Sequence, residues 1–561
     1  MGKSKNSSYY LSKNGEFVIE NYNQAKPFSS FLPSIAGIYG KPMWAFYVNR
    51  GQCLATMGIN NKDYSIMEFI PANKAYRQTT LQGFRTFLKI NNTDTGESVC
   101  YEPFKPNNVD GTDNVIQKMY ITSYDFKLEE INKSLGIKIE VVFLTLPGET
   151  LSGLIRQVRI SNISQSPIEV EVLDGLPVII PYYLINKDMK DESNLRQAWM
   201  GVENYQTIPF YKINVLPYDT PETFMIEGGN FYLNFDFAGD SNINISKTII
   251  EPGLVFGNMT DMTYPESFFS EDFCMPEKQV NVGITPCGFG HKKIRLESGN
   301  SDTTYTIIGN SENYEKLESF VYETLNEEYI ISKIEENKRL IESLKSNVVT
   351  SSSSDEFDLY CGQTYIDNFL RGGYPVRLGE GKHTFYVYSR KHGDLEREYN
   401  FFQIDSTYFS QGNSNFRDVN QNRRNDVRIS PFVKESNIYT FFNLLQLDGF
   451  NPLVVMGSKF IIEDENKIDS VLGRFIPESA REELRKYLDK FFTPGGLLGF
   501  IKDKGIELLE GTESEFLDNV LCNSTKLDLA DFKEGYWVDH WTYNTDLIEQ
   551  YMAVYPDEII D

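Results

Sequence analysis

The sequence predicts a multidomain α+β protein in which an antiparallel β-sandwich is followed by a helical linker and an α-helical domain. The chain has 561 residues, which is more than one hydrophobic core usually serves. Up to about residue 310 it shows short strand patterns separated by turn signals, and after that point it changes to helical periodicity. The predicted units are therefore residues 1–310, 311–350 and 351–561.

The strand pattern is clearest in the middle of the first unit. Ile137–Leu146 and Leu154–Ile160 are rich in β-branched residues and are separated by a Pro-Gly turn signal. Ile168–Leu173 alternates apolar and polar residues, which directs its two glutamates towards water, and Phe231–Phe237 shows a similar alternation. Many such strands joined by turns are typical of a large antiparallel sandwich.

An aromatic hairpin stands near the start of the chain, in the stretch KPMWAFYVNRGQ. Trp44, Phe46 and Val48 alternate as in a strand, and we expect them to pack inward while Asn49–Gly51 makes the turn. Arg50 has a second interpretation, in which it docks the sandwich on the helical domain or on a neighbouring subunit.

Helical periodicity begins after residue 310. Ser311 is the predicted N-cap, without a full capping box because Tyr314 stands where Glu or Gln is needed. Apolar residues then recur at three- and four-residue steps, and the serine-rich stretch Thr350–Phe357 predicts a hinge. Further helices are predicted within DEFDLYCGQTYIDNFLRGG, NIYTFFNLLQLDGF, PESAREELRKYLDKFF and HWTYNTDLIEQYMAVY.

Composition excludes several classes of partner. The net charge of −25 repels phosphate backbones, so no nucleic acid is expected, and no apolar run has the length of a membrane span. The six cysteines have no paired short spacing, and the N-terminus has no apolar signal segment, which together predict a cytoplasmic protein. Four scattered histidines predict no metal site, and phosphate-loop and dinucleotide motifs are missing, so no cofactor is expected.

Aromatic residues make up 14% of the chain, with 34 Tyr and 39 Phe. Aromatic rings stack on the apolar faces of sugars, but they also fill the cores of β-sandwiches. Composition leaves both interpretations open.

Two polar clusters are candidates for a binding site. Tyr388–Arg428 is dense in Arg, carboxylates and amides, groups that can grip vicinal hydroxyls with paired hydrogen bonds, although a solvated loop with surface ion pairs has the same composition. Gly535–Tyr551 carries two tryptophans four residues apart with an acid and a histidine between them, which suits a stacking platform or a buried core helix. The candidates in the second cluster are Trp537, Asp539, His540 and Trp541.

Several motifs together resemble the glycoside phosphorylases of the cellobiose phosphorylase group (glycoside hydrolase family 94 type), and most of all its 1,2-β-oligoglucan phosphorylase branch. They are GKPMWAFYVNRGQ, NKDYSIMEFIPANKAY, GFRTF, GQTYIDNFLRGGYP, SRKHGDLEREYN, SQGNSNFRDVNQNRRNDV, LLQLDGFNPL and GYWVDHWTYNTDLIEQYMAVYPD. The resemblance runs from about residue 20 to the last residue, and the long charged motifs are its specific part.

The resemblance implies an N-terminal β-supersandwich, a helical linker and an (α/α)6 barrel with the active site. It implies inverting cleavage of a β-glucosidic bond by inorganic phosphate, which yields α-glucose 1-phosphate. An inverting hydrolase needs two carboxylates, whereas a phosphorylase needs only the acid because phosphate is already nucleophilic.

The resemblance also implies a glucose subsite lined by Arg417, Asp418, Gln421 and Asn422, although many members of the group have Asp where Asn422 stands. The four residues of the second cluster are weaker candidates for the same cleft. Arg423 and Arg424 are expected to hold this loop in place rather than contact sugar.

One family segment, resembling NDAxNGLPG and carrying the general acid, is missing from this sequence, so the catalytic residue is unassigned. The part after residue 351 is also too short for twelve barrel helices of average length about 11–12 residues. We therefore expect the front part of a barrel, as a truncated chain or one half of a split enzyme, inactive without the other half.

The expected partners are a β-gluco-oligosaccharide, inorganic phosphate and a separate polypeptide that completes the barrel, with a homodimer left open. Two alternatives use the same architecture: an inverting β-glycoside hydrolase, and a non-catalytic carbohydrate-binding subunit.

Overall fold

The computed structural model describes residues 8–93, 96–109, 112, 114–215, 221, 224–237, 242–390, 402–531 and 538–558. The strands are β1 Tyr9–Leu11, β2 Phe17–Glu20, β3 Ser29–Phe31, β4 Trp44–Val48, β5 Leu54–Gly58, β6 Ser65–Met67, β7 Arg85–Asn92, β8 Ser98–Tyr101, β9 Val115–Ile121, β10 Phe126–Asn132, β11 Ile137–Thr145, β12 Ser152–Asn162, β13 Ile168–Leu176, β14 Met200–Glu203, β15 Phe210–Ile213, β16 Gly229–Phe237, β17 Ile243–Ile245, β18 Lys247–Ile249, β19 Gly288–Leu296, β20 Ser301–Ser311, β21 Tyr374–Leu378, β22 His383–Val387, β23 Ser414–Asn415, β24 Val454–Ile461 and β25 Thr525–Asp531.

The helices are α1 Ala72–Gln82, α2 Asn186–Asp191, α3 Ser193–Gln197, α4 Gly253–Phe256, α5 Glu266–Phe269, α6 Tyr314–Ser319, α7 Glu327–Lys345, α8 Asp355–Gly372, α9 Phe416–Arg423, α10 Asp426–Ile429, α11 Ser436–Asn443, α12 Glu465–Phe475, α13 Glu478–Leu488, α14 Pro494–Asp503, α15 Glu513–Cys522 and α16 Asp539–Val554. A π-helical turn, Phe320–Thr324, follows α6 directly. The chain is therefore a mixed α+β protein.

Large antiparallel sheets dominate the N-terminal part. The largest has the strand order β1-β2-β9-β10-β11-β12-β20-β16-β15-β14, with β17 paired to β16. A second sheet has the order β18-β19-β13-β7-β8, and a third has the order β3-β4-β5-β6. Buried residues of all three sheets share one hydrophobic cluster, in which the rings of Phe126 and Phe143 stack with centroids 4.8 Å apart. Side chains of the three antiparallel sheets therefore pack in one core, while the sandwich arrangement itself stays a prediction.

The predicted alternation holds in β13 but fails in β16. Glu169 is exposed and Glu171 is half-buried, whereas residues 229–236 are all buried. On β16, Tyr232 joins the sandwich core while Phe231 and Phe235 join a second cluster on the other face. That second cluster includes residues of α6, the π-helical turn and α7. The linker helices therefore cover the face of β16 that alternation predicted to be exposed to solvent.

A buried ion pair links the two largest sheets. Arg156 of β12 pairs with the Asp174 carboxylate of β13, and both side chains are almost inaccessible to solvent. The Arg156 guanidinium also donates to the Gln52 side chain at 2.5 Å, and the Thr86 hydroxyl donates to Asp174 at 2.6 Å. Buried charges are tolerated when they are paired with an opposite charge and hydrogen-bonded. Sequence reasoning did not find this cluster.

The aromatic hairpin is buried as predicted. Trp44, Phe46 and Val48 are at most 4% exposed, and the chain turns between β4 and β5 at Asn49–Gly51. The packing partners of the first two rings include Phe402, from the region predicted as the helical domain, with ring centroids 5.4 Å from Trp44 and 5.7 Å from Phe46. The strand therefore lies where the sandwich meets the later part of the chain.

Arg50 serves the sandwich itself. Its guanidinium donates to the carbonyl oxygen of Ala25 at 3.0 Å and to the carbonyl of Asn49. These contacts hold the hairpin turn against the N-terminal segment, so Arg50 does not dock the sandwich on the helices.

The N-cap of the linker is Asn313, so the prediction of Ser311 is wrong. Strand β20 continues through Ser311, and the Asn313 side chain accepts a hydrogen bond from the backbone N–H of Lys316 at 2.8 Å. The N-cap lies two residues later than predicted, because Ser311 is still paired with Gly229 in the sheet. The linker helices are otherwise present, as α6, the π-helical turn and α7.

The C-terminal part contains the predicted helices and two small sheets that were not predicted. Helices α8, α11, α13 and α16 coincide with the four helical stretches identified from sequence, although α11 and α16 each begin one residue earlier. The sheets are the hairpin β21-β22 and the three-stranded β23-β24-β25. One cluster of buried side chains joins α8, β21, β22 and α12–α15, and a smaller one joins α9, α11, β24 and α16. The ring arrangement of an (α/α)6 barrel and the three domain boundaries stay predictions.

All six cysteines lie in the described residues, and each is a free thiol, as their spacing predicted. None of the helices in the described ranges is both long and apolar enough to cross a bilayer.

The ion pair between the sheets generates a stability prediction. Arg156→Met should lower the free energy of unfolding by about 3–5 kcal/mol, because it leaves the Asp174 carboxylate buried without its partner. Arg159→Met, on the exposed face of the same strand, is the matched control and should change it by less than about 0.5 kcal/mol. Urea denaturation followed by circular dichroism measures both, and equal midpoints would contradict this role.

Candidate functional site

Helix α9 carries the first set of predicted binding residues, and its last residue anchors it. The Arg423 guanidinium lies 3.6 Å from the centre of the Tyr386 ring and donates to the carbonyl oxygen of Gly372. The next residue, Arg424, forms an ion pair with Asp546 of α16 at 2.6 Å. The expectation that these two arginines hold the segment in place is confirmed.

Helix α16 carries the second set and packs directly against α9. The His540 ring lies 4.9 Å from the ring of Phe416, measured between centroids. The amide of Asn420 donates to the amide oxygen of Asn544 at 2.5 Å, across 124 residues of sequence. The two polar clusters of the sequence therefore meet in the folded chain, at what we call the α9–α16 junction.

Arg417 and Asp418 form a local hydrogen-bonded unit at the start of α9. The Arg417 Nε atom lies 3.4 Å from a carboxylate oxygen of Asp418, and the amide of Asn415 donates to the other oxygen at 3.0 Å. The Arg417 side chain is 44% exposed, whereas that of Asp418 is 17% exposed. The pair thus presents guanidinium donors and carboxylate acceptors side by side at the start of α9.

His540 is buried beside these charges. Desolvation lowers the pKa of its imidazole, Asp539 and Asp418 raise it, and Arg417 lowers it, so all three lie within electrostatic reach of the ring. Its Nδ1 atom is inaccessible to solvent and has no hydrogen-bond partner. Burial keeps the imidazole neutral near pH 7, when one of its nitrogens can accept a proton or a hydrogen bond.

The remaining candidates divide between two surroundings. Trp541 is 38% exposed on α16, and Trp537 lies outside the described residues. Gln421 and Asn422 line a cleft of about 180 Å³ between α8 and the α9–α10 segment. Arg417 and Asp418 do not line this cleft, although the Asn422 amide donates to the Asp418 carbonyl oxygen at 2.7 Å. Two of the four residues predicted to share one sugar therefore line this cleft, and the other two lie near His540.

The cleft contains a carboxyl group whose surroundings could not be foreseen. Desolvation raises the pKa of Asp426 to about 7, against the lowering effects of Arg423 and of hydrogen bonds with Tyr386 and Asn437. One of its oxygens is inaccessible to solvent and has no hydrogen-bond partner. In the sequence, Asp426 is one acid among several arginines, and no local pattern indicates burial.

The described residues contain no cluster of three or more His, Cys, Asp or Glu side chains that could hold a metal ion. The polar groups at the junction and the cleft are guanidinium, carboxyl, amide and imidazole groups. These groups bind hydroxyls and move protons.

No protein-family model and no curated protein matches this chain. Among solved structures, a bacterial glucoamylase complexed with acarbose matches 84% of this chain at 11% identity and a TM-score of 0.37. A polysaccharide lyase matches 49% at 9% identity and a TM-score of 0.27. A protein assigned as a kojibiose phosphorylase from the human microbiome matches 65% at 7% identity and a TM-score of 0.21. The chain spans 57%, 33% and 33% of the lengths of these three structures.

The buried carboxyl generates a prediction about pH. An unfolded Asp titrates near pH ~4. Because folding raises the pKa of Asp426 to about 7, its contribution to stability is complete below pH ~4 and is lost as the pH rises through the folded-state value. The charged or titratable groups facing it are Arg423 of α9, Tyr386 of β22 and Tyr365 of α8.

Asp426→Asn should remove this loss, since an amide does not titrate. Between pH ~4 and ~8 the wild type should lose up to about 4 kcal/mol of unfolding free energy relative to the variant. The exposed Asp448→Asn is the control and should follow the wild type at every pH. Denaturant titrations at a series of pH values measure the difference, and parallel curves for wild type and Asp426→Asn would refute the assignment.

Proposed function

We propose that this chain is the sugar-binding part of an inverting glycoside phosphorylase that acts on β-linked gluco-oligosaccharides. Inorganic phosphate is the second substrate and α-glucose 1-phosphate the product. The observation that carries the proposal is the α9–α16 junction, which brings Arg417 and Asp418 beside Asp539 and His540. The long charged motifs that resemble the cellobiose phosphorylase group include the same residues.

The junction has the hydrogen-bonding capacity that glucose requires. A glucose unit presents neighbouring hydroxyls, each able to donate and accept, and an Arg-carboxylate pair supplies both kinds of partner at a fixed spacing. Arg417 supplies donors and Asp418 supplies acceptors, while the neutral imidazole of His540 can take either role. Trp541, half-exposed on the same helix, offers a ring face to the apolar side of a sugar.

Phosphorolysis requires fewer catalytic groups from the protein than hydrolysis does. Phosphate attacks the anomeric carbon from the face opposite the leaving group, so inversion needs one acid to protonate the departing oxygen and no carboxylate to activate water. That acid is unassigned in this chain. A separate polypeptide that completes the barrel and supplies the acid belongs to the proposal, as does the cytoplasmic setting.

Removal of the Arg417 guanidinium tests the sugar site. Arg417→Ala should weaken binding of β-1,2-linked gluco-oligosaccharides by about tenfold or more, because charge-assisted hydrogen bonds contribute about 1.5–3 kcal/mol. Arg474→Ala, an exposed arginine on α12 paired with Glu510, is the matched control and should bind as the wild type does. Titration calorimetry on the full chain measures both, and undiminished binding by Arg417→Ala would move the site elsewhere.

The reaction itself is tested with phosphate present and absent. The chain, supplied with any polypeptide that completes it, should release glucose 1-phosphate from β-1,2-linked gluco-oligosaccharides only when phosphate is added. Release of free glucose without phosphate would contradict phosphorolysis and identify a hydrolase. Oligosaccharide binding without either product would identify a binding subunit.

A further inference from the structure

We infer that a second cleft, between the sandwich and α8, binds a short neutral gluco-oligosaccharide at a site separate from the α9–α16 junction. We call it the sandwich–α8 cleft. Strand β3 and the turn between β9 and β10 form one wall, and α8 forms the other. The inference rests on the proposed function for the class of sugar. None of the described residues that line the cleft is among those that the resemblance assigns to the glucose subsite.

Helix α8 presents different faces to the two clefts that it borders. Gln363, Asp367 and Arg371 recur at four-residue steps, so they share one face, and all three line the sandwich–α8 cleft. Asn368 and Phe369 line the smaller cleft beside α9 instead. The two clefts are therefore separate binding volumes on one helix.

Direct contacts between the walls hold the sandwich–α8 cleft at a fixed width. The Ser123 hydroxyl, on the turn between β9 and β10, donates to the side-chain oxygen of Gln363 at 2.9 Å. The Arg390 guanidinium lies 4.6 Å from the centre of the Phe31 ring on β3, and the Arg390 backbone N–H donates to the Leu370 carbonyl oxygen at 2.9 Å. Because small-molecule sites are usually pre-formed and often lie between packed units, this construction favours a ligand site.

The polar groups of the lining favour a neutral ligand that is rich in hydroxyls. The hydroxyls of Ser29 and Thr122 and the amide of Gln363 can each donate and accept. The charged residues in the described lining are Asp367 and Arg371, which form an ion pair at 3.0 Å with side chains 36% and 33% exposed. Their charges cancel, while the pair still offers acceptors and donors to neighbouring hydroxyls. A phosphate would find no net positive charge in this lining.

The size and the apolar part of the cleft fit more than one sugar ring. Its volume of about 380 Å³ exceeds the 180 Å³ of the cleft beside α9, and it lies within the ~300–1,000 Å³ typical of small-molecule sites. Phe31, Pro33 and Leu370 contribute apolar surface beside the polar groups. Apolar faces of pyranose rings pack on such side chains while their hydroxyls reach the polar wall.

Hydrogen-exchange mass spectrometry on the full chain with a β-1,2-linked glucotriose tests the inference, because it reports protection segment by segment. At about nine-tenths occupancy, amides of residues 29–33, 121–124 and 363–371 that exchange by local opening should exchange up to about tenfold more slowly. Gln363→Trp and Ser123→Trp place an indole in the cleft from opposite walls, and each should abolish this protection. Glu356→Trp, at an exposed position of α8 outside the cleft, is the matched control and should retain it.

The outcomes separate this inference from the proposed function. Arg417→Ala should leave the protection in place, so protection that only the two cleft variants abolish supports the cleft even if no glucose 1-phosphate is ever released. No protection in the wild type, or protection that persists in either folded cleft variant, would overturn the assignment. Protection of the same segments by inorganic phosphate would identify an anion site and also overturn it. Unchanged exchange elsewhere in the chain shows that a variant is folded, and if one cleft variant unfolds the other decides.

Discussion

The packing of α9 against α16 is the contact on which the functional interpretation depends. Their candidate residues lie more than a hundred positions apart, and neither helix alone brings an arginine-carboxylate pair beside an imidazole. The contact is held by the Phe416–His540 rings, the Asn420–Asn544 amides and the Arg424–Asp546 ion pair. Apolar packing supplies most of the attraction, and the paired amides fix how far one helix can slide along the other.

Helix α9 packs against both α8 and α16. Arg417 and Asp418, on its first turn, belong with α16, while Gln421 and Asn422 turn towards α8. Arg417 and Gln421 are four positions apart and share a face of the helix, as do Asp418 and Asn422. The motif is therefore divided along the helix, with its first turn near His540 and its second turn at the cleft. The buried Arg423 at the end of α9 stacks on Tyr386 of strand β22, and this contact fixes the helix against the β21-β22 hairpin.

The sequence predicted elements wherever one local pattern dominated. The solvent-exposed face of β13 at Glu169 followed from alternation, and α16 followed from helical spacing. The predictions failed where tertiary contacts override the local pattern. Strand β16 is covered on both faces, and Ser311, the predicted N-cap, is instead paired within strand β20. The surroundings of Asp426 depend on Tyr386 and Asn437, which no window around residue 426 contains. The residues alone indicated two polar clusters far apart in sequence, and only the family resemblance placed candidates from both in the same cleft.

The burial of Trp44 and Phe46 against Phe402 has a consequence for how the chain unfolds. The Ile404 N–H also donates to the Asn60 carbonyl oxygen at 2.7 Å, and Ile35 lies in the same buried cluster as Ile366 of α8. These contacts join residues before position 310 directly to residues after position 351. We therefore expect one cooperative melting transition, in which the sandwich and the helices lose structure together.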